Sequence, residues 1–219
     1  MTEIMHGQVE EQKESKAGVR VVPCWSCKGP VREGSPFCQT CKSVQPPGQV
    51  DHFTRFGLVP RFRVDVNALE RHYFDLQRLL HPDRFVTKSG KEKTLSQLQA
   101  TSLNEAYETL RNPLRRADYL MHLHGTDVLP NGCNLVNDQE LLMEAMEMRE
   151  ALLEADSLEA VDQVAKQAAD DIAECISALE CSFADKDWET ACRLTTRLKY
   201  LTKMADETKA HRNKLKSMS

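Results

Sequence analysis

The sequence predicts an all-α protein with a small cysteine-rich module on its N-terminal side and a three-helix bundle at its C-terminal end. Three observations carry that expectation. Residues 24–45 pack two C-x-x-C pairs into a short, turn-rich segment. Apolar residues from 65 onward recur at helical spacing, and no strand pattern follows the cysteines. A chain of 219 residues, 41% hydrophobic and 28% charged, is long enough for more than one such unit.

Residues 1–23 set Glu3, Glu10, Glu11 and Glu14 against Lys13, Lys16 and Arg20. They contain no apolar run of a signal peptide and lack the Arg-rich, acid-poor character of a mitochondrial transit peptide. This segment reads as a disordered leader.

In the next unit, 24–45, ten residues separate Cys24-x-x-Cys27 from Cys38-x-x-Cys41. Two such knuckles can bring four thiolates around one ion, with zinc–sulfur distances of about 2.3 Å. A segment this short buries too little to fold alone, so the spacing predicts one structural zinc in a closed site with no open coordination position. Two disulfides, iron in place of zinc, or a redox-active pair are the alternatives. A thioredoxin-like pair needs a βαβ surround, which is not visible. Cys133, Cys175, Cys181 and Cys192 are scattered through the helical part, which points to a reducing compartment rather than a disulfide framework. Pro46-Pro47-Gly48 then breaks the chain.

Residues 51–125 form the second unit. A short turn, DHFTRFG, ends at Gly57. Asp65 caps a helix carrying Val66, Leu69, Tyr73, Leu76 and Leu80, which must stop near Leu80 because Pro82 disfavours the helical conformation at His81. A loop around 87–91 leads to a third helix with Leu95, Leu98, Leu103, Ala106, Tyr107 and Leu110. Asn112-Pro113 opens a brief fourth helix as N-cap and first helical residue. It ends at Gly125.

After a Pro/Gly/Asn-rich linker at 126–137, residues 138–215 predict three helices at about 138–155, 158–181 and 187–214. On a helical wheel, Leu141, Ala145, Met148 and Leu152 fall within roughly 60° of one another and suffice as a core stripe. Leu142, Met146 and Leu153 form a second group about 110° away, beside Met143, Glu147, Glu150 and Glu154. A helix central to the bundle would bury both groups; interleaved glutamates argue instead for solvent beside the second, and methionine suits an adaptable protein-binding surface. In the last helix Ala191, Leu194, Leu198, Leu201 and Ala205 share a face, which leaves Tyr200 off the core.

The net charge of −4 is unevenly spread. Residues 51–125 carry twelve Lys and Arg against nine Asp and Glu, whereas 126–219 carry eleven against nineteen, which suggests different partners for the two parts. No stretch approaches the roughly 18 apolar residues of a membrane span. Lys28, Arg32 and Lys42 form no basic cluster of the kind that reads nucleic acid, so neither membrane nor nucleic acid is an expected partner. His52, His72, His122 and His124 have no convincing triad context, and no catalytic residue is expected.

His81-Pro82-Asp83 lies between two amphipathic helices, with Arg71 and Arg78 seven residues apart on one exposed face and Arg84 just beyond. This arrangement resembles a J-domain. DHFTRFGL at 51–58, LERHYFDLQRLLHPDRF at 69–85 and SLNEAYETLRNPLRRADYL at 102–120 resemble the HscB type, co-chaperones of iron–sulfur cluster assembly. The cysteine quartet is similar to the zinc-binding extension of that family's animal branch. The resemblance covers residues 51–215.

The resemblance implies that His81, Pro82 and Asp83, with Arg71, Arg78 and Arg84, contact a 70-kDa-class heat-shock chaperone and stimulate its ATPase. It implies that the C-terminal bundle holds the cluster scaffold protein. The run LMEAMEMRE at 142–150 and Tyr200 match the family's scaffold-binding positions, which gives Leu142, Met143, Met146, Glu147, Arg149, Glu150 and Tyr200 that role. Asn137 departs from the family pattern. No iron–sulfur cluster is expected on the chain itself. The family implies the mitochondrial matrix, with the cytoplasm as a second location. A general J-domain co-chaperone delivering unfolded clients is the alternative, but such proteins carry Gly/Phe-rich linkers and β-rich client domains, and neither is present.

Overall fold

The computed structural model describes residues 20–126, 128 and 139–218. Most of the expected leader and linker, with Asn137, lies outside them, but the leader's last residues, Val21–Pro23, are ordered as a strand by pairing with the cysteine segment. Among the described residues there are two short strands, β1 (Val21–Pro23) and β2 (Pro30–Arg32), and seven α-helices: α1 (His52–Arg55), α2 (Val66–Leu80), α3 (Gly90–Arg111), α4 (Pro113–Leu123), α5 (Gln139–Glu154), α6 (Leu158–Ala184) and α7 (Trp188–Met218). The strands pair antiparallel, Val22 opposite Val31.

Short polar side chains start most of these helices, each relieving an unpaired amide of the first turn. Asp51 accepts from the Thr54 amide, Asp65 from Ala68, Asn112 from Arg115 and Ser157 from Ala160, all at 2.9–3.1 Å. Ser89 and Glu92 form a reciprocal capping box at the head of α3. Pro113 occupies the first turn of α4 as its fixed φ favours. Gly57 follows α1 at φ +66, a left-handed conformation that would cost another residue about 1 kcal/mol.

Helices α2 and α3 form an antiparallel hairpin. Tyr73 and Tyr107 stack across it with centroids 4.0 Å apart, and the Tyr73 hydroxyl donates to Asn104 at 3.0 Å. Leu69, Leu80, Leu95, Leu103, Ala106 and Leu110 are buried as the spacing predicts. Val66 and Leu98 are exposed, contrary to it. Val66 is the first residue of its helix, before the buried face begins. On α3 the inward stripe runs 95, 99, 103, 106 and 110, so buried Gln99 takes the place next to Leu95 and turns Leu98 outward.

The interior continues from the hairpin into the C-terminal helices: Cys175, Leu179, Leu198 and Leu201 share one apolar cluster with Phe53, Leu69 and Leu103. Phe62, between α1 and α2, stacks on Phe183 of α6 with centroids 5.3 Å apart. Arg116 of α4 lies 4.9 Å from the Phe62 centroid, is 6% exposed, and donates to the Leu110 carbonyl. No carboxylate among the described residues bonds to it, and its burial pulls its pKa down to about 10. Cys175 and Cys181 are free thiols, whereas Cys192 is disulfide-bonded. The expectation of reduced thiols outside the quartet is thus corrected at Cys192, which is buried against Met121 and Val128; Cys133 lies outside the described residues.

Candidate functional site

The four cysteines converge because the two knuckles share one backbone pattern. In the first, the Lys28 amide donates to the Cys24 carbonyl at 3.0 Å; in the second, Lys42 donates to Cys38 at the same distance. Both lysines take a left-handed conformation, φ 64 and 61. The Sγ atoms of Cys24, Cys27, Cys38 and Cys41 all lie within 4.8 Å of one another. Cys24 to Cys41 is 3.7 Å and Cys27 to Cys38 is 3.8 Å. A tetrahedron with zinc–sulfur bonds of about 2.3 Å has sulfur–sulfur edges of about 3.8 Å, so the donor set fits one tetrahedral ion.

The surroundings favour thiolate at Cys24 and Cys41, whereas Cys27, although the Gly29 amide lowers it, is raised to about 11 by the neighbouring thiols and burial. Burial raises the Cys24 thiol, but the Cys27 and Ser26 amides and the Ser43 hydroxyl outweigh it and bring it down to about 5. Gln45, buried against the site, donates Nε2 to Cys24 Sγ at 3.3 Å. Cys24 and Cys38 are buried and Cys27 and Cys41 exposed, so an ion would be covered on one side.

At the hairpin tip, Pro82 forces His81 out of the helix to φ −56, ψ 129, which ends α2. Pro82–Phe85 then make one turn of 3-10 helix. The Asp83 amide donates to His81 Nδ1 at 3.3 Å, which leaves Nε2 to carry the proton of the neutral ring. The tip is anchored from inside. Phe85 is buried, and the Ser96 hydroxyl of α3 donates to the Leu80 carbonyl at 2.7 Å. Outward, the His81 and Asp83 side chains are 55% and 86% exposed. Arg71 and Arg78 are exposed on α2, Arg78 lying 3.8 Å from Asp75. Arg84 turns back to donate to the Arg78 carbonyl at 3.1 Å, so it caps the end of α2 while remaining exposed.

A second surface forms where α5 crosses α7. Leu141 and Leu152 are buried, while Leu142, Met143, Met146 and Leu153 are 47–75% exposed. Arg197 of α7 grips Glu144 through Nε, at 3.0 Å to both carboxylate oxygens, and Arg193 reaches Glu140 at 2.6 Å. The Glu144 hydrogen bond raises the Arg197 pKa. A groove of about 190 Å³ results, lined by Leu142, Met146, Arg149 and Tyr200 above Leu141, Ala145, Met148, Leu201 and Met204. Met143, Glu147 and Glu150 are exposed but do not line it. Tyr200 is 39% exposed, off the core stripe of α7.

Sequence reasoning missed Glu144 and Arg197, which fix the two helices of the groove, and Ser96 and Gln45. Their partners lie 16 or more residues away, at Arg197, Leu80 and Cys24, so local spacing carried no signal. His124 is exposed and forms the C-cap of α4, where it also stacks on Trp188 with centroids 3.7 Å apart.

Residues 137–209 match the family model described as the HSCB C-terminal oligomerisation domain. The chain is 35% identical over 205 residues to the iron–sulfur cluster co-chaperone protein HscB of Mus musculus, covering 91% of this chain and 87% of that relative. Among solved structures it is similar to the human co-chaperone protein HscB, at 34% identity and TM-score 0.79, covering 85% of this chain and 96% of that one. Chaperone HscB from Vibrio cholerae matches at 31% identity and TM-score 0.68, over 76% of this chain and 99% of that one.

Proposed function

The chain belongs to the HscB family of iron–sulfur cluster co-chaperones, and from that premise we propose that it is an adaptor joining a cluster scaffold protein to a 70-kDa-class heat-shock chaperone. The working units are 24–45, 51–125 and 138–215. His81, Pro82 and Asp83 contact the chaperone and stimulate its ATPase, while the groove between α5 and α7 holds the scaffold. The chain acts by binding, and the hydrolytic chemistry belongs to the partner. The mitochondrial matrix is the proposed location.

The observation that carries this reading is the tip of the hairpin. Its backbone is fixed from inside by Phe85 and Ser96, while the side chains of His81 and Asp83 face solvent. A rigid loop delivers a geometrically specific contact at little ordering cost. Arg71 and Arg78, further along the same exposed helix, act mainly on the rate and orientation of encounter. At the other surface, Leu142, Met146 and Tyr200 offer apolar area for burial, and Met143 widens it beyond the groove.

Cys24, Cys27, Cys38 and Cys41 hold one zinc, whose part is to supply the folding energy of their segment. The spacing of the sulfurs supports a single ion at this site, and on this reading any iron–sulfur cluster is cargo carried by the scaffold. Two measurements test the reading. The full chain should raise the partner's steady-state ATPase rate, and further when scaffold is added; no stimulation by folded protein would sink the adaptor mechanism. Elemental analysis should give one equivalent of zinc, and less than half an equivalent with four free thiols would remove the metal.

A further inference from the structure

The cysteine module and the His81 loop are both fastened to α3. Gln45, 3% exposed, is the link on one side: its Nε2 donates to Cys24 Sγ at 3.3 Å, while its backbone carbonyl accepts from Gln99 Nε2 at 2.9 Å. Gln99, 2% exposed, lies on α3 one turn after Ser96, whose hydroxyl holds the Leu80 carbonyl at 2.7 Å, immediately before the loop. Two further contacts run parallel. Val44 is fully buried in the apolar cluster of the hairpin, and its carbonyl accepts from Trp25 Nε1 at 2.7 Å. The Lys91 ammonium at the start of α3 lies 4.4 Å from the Trp25 ring centroid.

We propose that the metal-loaded cysteine module is a brace for α3, so that metal occupancy sets how firmly the His81-Pro82-Asp83 loop is held. The inference rests on reading the four cysteines as a metal site. A knuckle pair this small keeps its shape only with its ion. Without it, the second knuckle no longer holds the Ser43 carbonyl and Cys24 Sγ, which accept from Gln45 Nε2 at 2.9 and 3.3 Å, in one place, and Gln99 faces a carbonyl that is no longer fixed. A buried amide deprived of its partner is strongly disfavoured, so the α3 surface must rearrange. Linkage makes the coupling reciprocal: whatever the ion contributes to α3, α3 returns to metal affinity.

The test is hydrogen exchange and zinc affinity on the full chain, reduced, with zinc or after stripping by a chelator. Metal removal should speed amide exchange at residues 94–103 by threefold or more, with α6 and α7 unchanged. Gln99→Leu should show the faster exchange with zinc bound, and its zinc affinity should fall roughly tenfold. Leu98→Ala, exposed on the same helix, should leave both unchanged. One equivalent of zinc with identical exchange in the two states, or a Gln99→Leu chain with wild-type affinity, overturns the coupling alone. A wild-type chain that takes up no zinc overturns the metal reading and the brace with it.

Discussion

Replacing Leu142, Met143 and Met146 together by Ala separates a docking surface from a core. These side chains are 47%, 60% and 63% exposed, so about half of each remains to be covered by a partner. Full burial of such a side chain is worth about 1.5–3 kcal/mol, which leaves about 1 kcal/mol apiece for a complex. The triple variant should lose about 3 kcal/mol of scaffold binding, a fall of roughly 100-fold in affinity. Its own fold should lose about 1 kcal/mol or less, because the higher helix propensity of Ala offsets part of the lost contact. Leu141, 7% exposed and one residue away, is the control. Leu141→Ala leaves a cavity costing about 2–5 kcal/mol and should lower the melting temperature clearly. Isothermal calorimetry with purified scaffold, and thermal melts of both variants, give the two readouts. A triple variant that melts like Leu141→Ala, or binds scaffold like wild type, would refute the assignment.

His81→Gln alters an exposed loop side chain, so stability should move by less than about 0.5 kcal/mol while stimulation of the partner ATPase is lost; full stimulation by this variant would dismiss the loop mechanism. Arg197→Ala leaves the half-buried Glu144 carboxylate without its bidentate partner, which should cost about 1–3 kcal/mol in denaturant titration and weaken scaffold binding by loosening α5. His52 is stacked 4.2 Å from Tyr119, and its pKa is lowered chiefly by burial, with Arg55 lowering it further against Glu105 and Asp51. Its neutral form is therefore favoured by folding, so its stabilising contribution is present above pH 6.5 and is lost as pH falls through the lowered folded value. Melts between pH 7.5 and 5 should show a smaller acid loss for His52→Phe than for wild type.

The features legible in the sequence were those set by neighbours along the chain. Asp65 and Asn112-Pro113 announced their helices because capping is decided within four residues, and Pro82 ended α2 by a local clash. The wheel placed Leu141 inward and Leu142 and Met146 outward because one long helix repeats its angle reliably. The capping box Ser89-x-x-Glu92 is equally local, but its cap residue falls within the expected loop around 87–91, where turn composition masks the helix start. Leu98 failed for another reason: hydrophobicity alone named it a core residue, while tertiary hydrogen bonds gave the inward positions to Ser96 and Gln99. The β1–β2 pair and the contact of Gln45 with Gln99 depend on how the cysteine segment closes and docks, which spacing leaves open.

The stack of Phe62 on Phe183, inside an apolar cluster common to hairpin and bundle, bears on how two bound proteins would meet. An adaptor whose halves are strung on a flexible tether presents its cargo in many poses, and its effective concentration falls as the tether lengthens. Here a packed aromatic seam fixes the bearing of the α5–α7 groove relative to the His81 tip. On the proposed reading the chain works like a set square: it delivers a direction as well as proximity, and a substitution at Phe62 or Phe183 would misaim the delivery while leaving both docking surfaces intact.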